Sequence, residues 1–203
     1  MGPTPPKPFR ATAMPDRDWW QTLWPDPGAV LAAVGVGAAM RAVDLCCGDG
    51  LFTVAMAVLV GDGHVFAVDI DQDLLAAAEL ESERAGTSNI SFVQGDAMDL
   101  PELIPEPVDM VVIANSFHGA PDHTALGRAV HAVLAPGGSF AVINWWPRPR
   151  EETTVLGKPR GPRRELRFSP DQVAVWLAPA GFRLHEVKEV GPYHYGAIFR
   201  ADG

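Results

Sequence analysis

Short apolar runs alternate with longer segments of helical periodicity along most of this chain. An uninterrupted apolar run fits a strand that is buried on both faces, because a half-buried strand would alternate apolar and polar residues. Five such strands are predicted, over residues 41–45, 65–69, 90–93, 108–114 and 139–144. Helices are predicted before, between and after them, over residues 16–24, 26–35, 51–60, 72–85, 122–134 and 169–181. This alternation predicts an α/β fold with a parallel sheet covered by helices on both faces.

The end of the chain breaks the alternation. Residues 182–190 and 193–200 are predicted as two strands joined by Gly191 and Pro192, which leaves no room for a helix between them. Two strands joined by a tight turn run antiparallel. We therefore predict a doubly wound, seven-stranded sheet that is mostly parallel and finishes in a C-terminal antiparallel hairpin.

Two segments lack the periodicity of the rest. Residues 1–14 are expected to be a flexible N-terminal tail, because this end is rich in proline and has no apolar stretch of the kind found in a signal peptide. Residues 145–167 form a basic insert rich in Pro, Gly and Arg, and such an insert in a compact domain is usually functional or disordered. Residues 15–203, with this insert, are predicted to form a single domain.

Composition narrows the choice of partners. A net charge of −9 argues against a general affinity for nucleic acid or for an anionic membrane. No apolar run is long enough to cross a bilayer. The only cysteines are the adjacent pair Cys46 and Cys47, which would rarely bridge each other, so a reducing cytoplasm is the expected location. A homodimer is compatible with these properties.

The first two predicted strands each end in an acidic residue. Asp44 precedes a turn that contains Gly48 and Gly50, and glycine lets the bare backbone approach a ligand. Asp69 ends the next strand, 25 positions later, where a carboxylate can accept both hydroxyls of a ribose. The pair predicts a nucleoside-containing cofactor across the carboxyl ends of two parallel strands. A nicotinamide or flavin oxidoreductase is less favoured, since the third glycine of its pattern is expected where Thr53 stands.

Five segments in order carry a resemblance to a known family. They are VDLCCGDG at 43–50, VD at 68–69, QGDA at 94–97, VDMVVIANSFH at 108–118 and LAPGG at 134–138. Over residues 26–200 the chain resembles the class I, seven-stranded, Rossmann-like S-adenosylmethionine-dependent methyltransferases, and is most similar to small-molecule members such as the quinone-biosynthesis C-methyltransferases. The resemblance implies the strand order 3-2-1-4-5-7-6, S-adenosyl-L-methionine as cofactor and S-adenosyl-L-homocysteine as product.

The resemblance also assigns cofactor-binding residues. It implies that Asp44 orients the methionine ammonium, that Asp69 holds the ribose hydroxyls and that Asn115 lies beneath the sulfonium. Cys46 stands where the family usually has glycine. The full set of implied cofactor residues, including those expected to line the methionine end and to contact the adenine, is Asp44, Cys46, Gly48, Gly50, Asp69, Ile70, Asp96, Ala97 and Asn115.

Two histidines are candidates for a general base, which the reaction needs only where the acceptor holds its proton firmly. His118 directly follows the fourth strand, at the edge where ligands bind, and is the first candidate. His194 is the second; in a strand, Tyr193 and Tyr195 would share one face and His194 the other. Asp122 and His123 are better explained as the start of a helix than as metal ligands, and no metal site is predicted.

Aromatic and basic residues suggest where an acceptor could bind. Tryptophans at 19, 20 and 24 could form a core stripe or a cover over the cofactor. Of the chain's 16 Lys and Arg, seven lie within residues 148–167. These either form a solvated loop with internal ion pairs or grip a carboxylate or phosphate of the substrate. The candidate substrate residues are Trp145, Trp146, Arg160 and Tyr193.

The function predicted from the sequence is therefore methyl transfer to a small-molecule acceptor, with the arginines favouring an anionic one. The accepting atom stays open among carbon, oxygen, nitrogen and sulfur. The alternative is a non-catalytic S-adenosylmethionine-binding protein that senses the cofactor or supports a partner.

Overall fold

A seven-stranded sheet forms the centre of the protein, whose computed structural model describes residues 14–201. The strands are β1 (Arg41–Leu45), β2 (His64–Asp69), β3 (Ile90–Gln94), β4 (Val108–Ala114), β5 (Leu134–Trp145), β6 (Thr154–Val155), β7 (Lys158–Pro159), β8 (Phe182–Glu189) and β9 (His194–Ala201). The α-helices are α1 (Arg17–Leu23), α2 (Pro27–Ala33), α3 (Leu51–Val60), α4 (Gln72–Ala85), α5 (Leu100–Leu103), α6 (His123–Val133) and α7 (Pro170–Leu177). Except for Met14, the predicted flexible tail lies outside the described residues.

The strand order of the sheet is β3-β2-β1-β4-β5-β9-β8. Strands β1 to β5 pair in parallel, whereas β9 pairs antiparallel with both β5 and β8. Because β6 and β7 form a separate two-stranded sheet, the seven main strands follow the predicted order 3-2-1-4-5-7-6. The predicted fold, with its antiparallel C-terminal hairpin, is confirmed.

Local side-chain chemistry explains where the helices begin. The carboxylate of Asp26 accepts a hydrogen bond from the backbone N–H of Ala29 at the start of α2. Asp71 caps α4 in the same way. At α7, Ser169 and Gln172 form a reciprocal capping box. Each cap lies at, or directly before, the first residue of a helix that the sequence predicted.

Strand β4 shows why an apolar run marks a fully buried strand. Met110 and Val112 pack with α1, α2 and α3 on one face of the sheet. Val111 and Ile113 pack with α5, α6 and α7 on the other. Alternate residues thus serve two separate cores, and both must be apolar. Within residues 14–201, no helix has the length and apolar character needed to span a bilayer.

The basic insert is more regular than the sequence indicated. Strands β6 and β7 pair as a short hairpin, and its turn residues Leu156 and Gly157 both have positive φ. Short 3-10 turns lie on either side of the hairpin. The expectation of an insert without regular structure is therefore wrong over this hairpin, whose two-residue turn suits the twist of paired strands.

Candidate functional site

A cavity of about 850 Å³ opens at the carboxyl ends of the parallel strands. Its walls come from the loops after β1, β2 and β4, the end of β5, helix α1 and the basic insert. The volume lies in the usual range for small-molecule sites. Nine of the sequence-predicted site residues line it: Asp44, Cys46, Gly48, Asp69, Ile70, Asn115, His118, Trp145 and Arg160.

Asp44 is a buried carboxyl at the β1 end of this cavity. Only 2% of its surface is exposed, and Thr53 Oγ1 donates a hydrogen bond of 2.6 Å to its Oδ2. Burial raises the pKa of Asp44 from 3.8 to about 7, although the Thr53 hydrogen bond acts in the opposite direction. The charge of Asp69 raises it further. A cationic ligand would favour the ionised form of this group.

The turn after β1 depends on left-handed backbone conformations. Cys46 has a φ of 60°, which explains why the position usually carries glycine. Gly50 does not line the cavity; a Cβ on it would lie 2.8 Å from Ala78 Cβ, so glycine here lets α3 approach α4. Gly48 does line the cavity, where its backbone meets Met14.

Asp69 ties the first two loops together. Its Oδ2 accepts from the backbone N–H of Gly48 at 2.9 Å, and its Oδ1 accepts from that of Asp71 at 3.0 Å. Each carboxylate oxygen keeps capacity for a further hydrogen bond, as ribose hydroxyls would require. Ile70 follows on the same wall with an apolar surface that is 43% exposed.

Asn115 presents a buried side-chain amide with no hydrogen-bond partner among the described residues. It follows β4 with a φ of 60°, and its backbone N–H donates to the carbonyl of Ile143 at 2.8 Å. Neither its side-chain oxygen nor its side-chain nitrogen makes a hydrogen bond within residues 14–201. Such groups are costly to bury unsatisfied, so a polar ligand is the expected partner.

Asp49 is a cavity residue that sequence reasoning missed. Its Oδ1 is buried and has no hydrogen-bond partner in the described part of the chain. Burial raises the pKa of Asp49, although the Arg17 charge lowers it. Its position between Gly48 and Gly50 in the turn was the available signal. With Asp44, Asp69 and Asn115, it gives a wall that fits a cationic, hydroxyl-bearing cofactor.

His118 lies in a 3-10 turn, Phe117–Gly119, after β4. The side chain is buried on the cavity wall. Burial and the nearby His123 lower the pKa of His118 from its ordinary value of 6.5. At neutral pH the imidazole is therefore uncharged and able to accept a proton. Asp122 caps α6, as predicted, and the ring of His123 stacks on Trp176 at 4.3 Å.

The structure does not bring His194 to the cavity. The ring is fully buried between Trp24 and Trp145, with centroid distances of 4.4 Å and 4.1 Å. Neither ring nitrogen has a hydrogen-bond partner within residues 14–201. Burial, and secondarily the charge of Arg167, lower the pKa of His194 well below its ordinary value. A direct role on the acceptor would require Trp145 to move.

Tyr193 and Trp146 also lie off the cavity wall. The hydroxyl of Tyr193 donates to the Thr154 carbonyl at 2.9 Å, and its ring stacks on Trp145. Tyr195 instead packs on Trp146, on the other face of the sheet. The expectation that the two tyrosines share a face is wrong, because β9 begins only at His194.

Of the three residues that the resemblance assigns to the adenine, Ile70 lines the cavity, whereas Asp96 and Ala97 follow β3 and do not. Asp96 Oδ1 accepts from the backbone N–H of Met98 at 2.9 Å, which caps a 3-10 turn. Ala97 is buried in the core beside Leu100. Their contact with the cofactor stays a prediction.

Helix α1 closes one side of the cavity with aromatic rings. Trp19 and Trp20 line it, whereas Trp24 packs inside against Phe52. All three tryptophans belong to one core cluster, and Trp19 and Trp20 also face the cavity. A cover over the cofactor stays a prediction for these two.

The insert contributes arginines of two kinds. Arg150, Arg160 and Arg163 line the cavity. Arg167 is 2% exposed and lies over the Trp145 ring at 4.8 Å. Its guanidinium donates to the carbonyls of Pro162, Arg148 and Arg160 and to Thr153 Oγ1. Arg167 thus holds the insert together rather than facing a ligand.

The sheet order and the acidic, glycine-containing edge are those of the class I, seven-stranded, S-adenosylmethionine-dependent methyltransferase fold. A family described as a methyltransferase domain matches residues 42–138. Among curated proteins, the chain is 34% identical over 115 residues to a demethylmenaquinone methyltransferase of Staphylococcus aureus (strain MRSA252), covering 56% of this chain and 46% of that protein. It is 32% identical over 111 residues to the protein of the same name from Geobacillus stearothermophilus, covering 54% and 47%. The chain spans about half the length of these relatives.

The similarity to solved structures extends over a larger part of the chain than the similarity to the curated relatives does. A SAM-dependent methyltransferase from Aquifex aeolicus is 25% identical, with a TM-score of 0.78 over 92% of this chain and 94% of that one. A methyltransferase from Pyrococcus furiosus is 16% identical, with a TM-score of 0.62 over 86% and 81%, and this likeness concerns the fold alone. The matching methyltransferase domain and the structure from Aquifex aeolicus imply S-adenosylmethionine as the cofactor.

Proposed function

We propose that the protein transfers a methyl group from S-adenosylmethionine to a small-molecule acceptor inside this cavity. The observation that carries the proposal is that Asp44, Asp69 and the unpartnered amide of Asn115 share one wall with His118. The name of the curated relatives, demethylmenaquinone methyltransferase, supports a small-molecule acceptor.

The cofactor residues would act by charge and hydrogen bonding. When bound, S-adenosylmethionine supplies a methyl group activated by its positively charged sulfonium. The carboxylates of Asp44 and Asp49 would stabilise the ammonium group of the amino-acid end, and Asp69 would accept from the ribose hydroxyls. Asn115 would orient groups between the cofactor and the acceptor, since its amide has both a donor and an acceptor to offer.

The acceptor residues would act mainly by positioning. An in-line displacement gains much of its rate from holding the two reacting atoms aligned at contact distance. The rings of Trp19, Trp20 and Trp145 would exclude water, which suits a reaction whose positive charge is lost at the sulfonium. His118, uncharged at neutral pH, would remove the acceptor proton where one must leave.

We also infer that the protein works in a reducing compartment such as the cytoplasm. Cys46 and Cys47 are both free thiols. Burial raises the pKa of each thiol well above 9.0, so neither is a thiolate nucleophile at neutral pH.

Calorimetric titration with S-adenosylmethionine and S-adenosylhomocysteine tests the proposal first. Saturable binding of both, at dissociation constants of about micromolar order, is expected, whereas NAD should not bind. An acceptor screen that measures S-adenosylhomocysteine formation then tests turnover. Absence of cofactor binding would refute the proposed function. Tight cofactor binding without turnover on any acceptor would instead favour the non-catalytic alternative.

A further inference from the structure

The cavity carries opposite charges on two separate walls. The carboxylates of Asp44 and Asp69 lie at the ends of β1 and β2, whereas the arginines come from the insert that follows β5. Strand β4 lies between β1 and β5 in the sheet. With about 4.8 Å between neighbouring strands, the ends of β2 and β5 are roughly 14 Å apart. The acidic wall and the basic wall can therefore face different ligands.

Arg160 is fixed in place before any ligand binds. Its backbone N–H donates to the Thr153 carbonyl at 2.8 Å. Its own carbonyl accepts from Thr153 Oγ1 at 2.9 Å and from Arg167 Nη2 at 3.0 Å. Its guanidinium lies over the Trp19 ring at 4.9 Å from the centroid. A cation held in this way loses little further freedom when it binds an anion.

The arginines of this wall have no acidic partner in the described part of the chain. Arg160 Nε is buried and makes no hydrogen bond within residues 14–201. Over the same residues, none of Arg150, Arg160 and Arg163 forms an ion pair. These three arginines therefore do not form the internal ion pairs that were expected of a solvated loop. A guanidinium that is fixed and unpaired is suited to a carboxylate or a phosphate.

We propose that Arg160, assisted by Arg150 and Arg163, binds a carboxylate or phosphate group of the methyl acceptor. The acceptor is then an anionic small molecule with an apolar or aromatic body, because Trp19 and Trp145 form the adjoining walls. This inference rests on the proposed function and names the substrate class of the same site. The rival source of the anion is the cofactor's own carboxylate.

The experiment compares the wild type with Arg160→Gln and with Arg164→Gln, an exposed arginine of the same segment that is absent from the cavity wall. Each protein is titrated with S-adenosylhomocysteine. Each is then titrated with benzoate, phenyl phosphate and the neutral benzamide, both with and without saturating S-adenosylhomocysteine. Arg163→Gln, a change at an exposed residue, serves as a second variant should Arg160→Gln fold poorly.

We expect the wild type to bind at least one anionic probe about tenfold more tightly than benzamide. Arg160→Gln should remove that preference, Arg164→Gln should keep it, and S-adenosylhomocysteine should bind all three proteins equally. Equal binding of anionic and neutral probes by the wild type would overturn the proposal. Weaker S-adenosylhomocysteine binding by Arg160→Gln would also overturn it, by assigning the arginine to the cofactor. A wild type that binds no cofactor would refute the proposed function, and the titrations without cofactor would still decide the role of the arginines.

Discussion

Replacing Asp44 by Asn should stabilise the cofactor-free protein and weaken cofactor binding at the same time. The folded-state pKa of about 7 lies above the ordinary 3.8, so the folded protein holds this proton more tightly than the unfolded chain does. Stability from this group is therefore greatest below about pH 4 and is lost as the pH rises toward 7. At pH 8, burying the charge costs about 4 kcal/mol.

The amide of the variant recovers only part of this free energy. The Asn oxygen can still accept from Thr53 Oγ1, but its new amino group needs a partner of its own, and an unsatisfied one costs about 1–3 kcal/mol. The net gain in the free energy of unfolding at pH 8 is then about 1–3 kcal/mol. For a chain of 203 residues, this corresponds to a rise in Tm of roughly 2–12 °C.

Thermal unfolding from pH 5 to pH 8 without cofactor provides the assay, with calorimetric titration of S-adenosylmethionine beside it. The Tm advantage of Asp44→Asn should shrink as the pH falls, because the wild-type carboxyl becomes protonated. Affinity for the cationic cofactor should fall about tenfold or more at pH 8. Asp62→Asn, at an exposed turn, is the matched control and should change neither quantity. A variant that is less stable than the wild type at pH 8, or whose advantage does not depend on pH, would refute the reasoning.

Three further substitutions test separate parts of the site. Asn115→Gly keeps the positive φ at no steric cost, so the cofactor-free Tm should not fall, while calorimetry should show about tenfold weaker S-adenosylmethionine binding. His118→Gln should lower kcat about 100-fold or more on an acceptor that must lose a proton, and it should leave cofactor affinity unchanged. It should also abolish the rise in rate with pH that follows a pKa below 6.5. A full rate would remove His118 from the mechanism. In Arg167→Lys, the lysine cannot reproduce the fork of hydrogen bonds that the guanidinium makes. The free energy of unfolding, measured by denaturant titration, should therefore fall by about 3 kcal/mol. An unchanged midpoint of denaturant unfolding would contradict the structural role of Arg167.

The positions of the strands could be predicted from the sequence because their determinants are local, whereas the order of the strands came from the resemblance to a family. Apolar runs without alternation mark strands buried on both faces, and caps such as Asp71 mark helix starts. The convergence of Asp44 and Asp69 followed from the same reasoning, since parallel neighbouring strands bring their carboxyl ends to one edge. Strand β9 shows the limit, because its start at His194 rather than Tyr193 depends on its pairing with β5. Tyr193 therefore lies outside the alternation of the strand, and its ring packs against Trp145, as that of His194 does.

The different roles of the arginines, one facing the cavity and one structural, could not be predicted, because they depend on contacts between distant segments. Arg160 and Arg167 are the same residue type in the same insert, and both lie beside a tryptophan ring. The difference is the set of carbonyls that surrounds Arg167, which exists only once the insert has folded back on itself. Those bonds use the donors of Arg167 and also fix the backbone of Arg160. The structural arginine thereby holds the unpaired one at the cavity, so the two roles depend on each other.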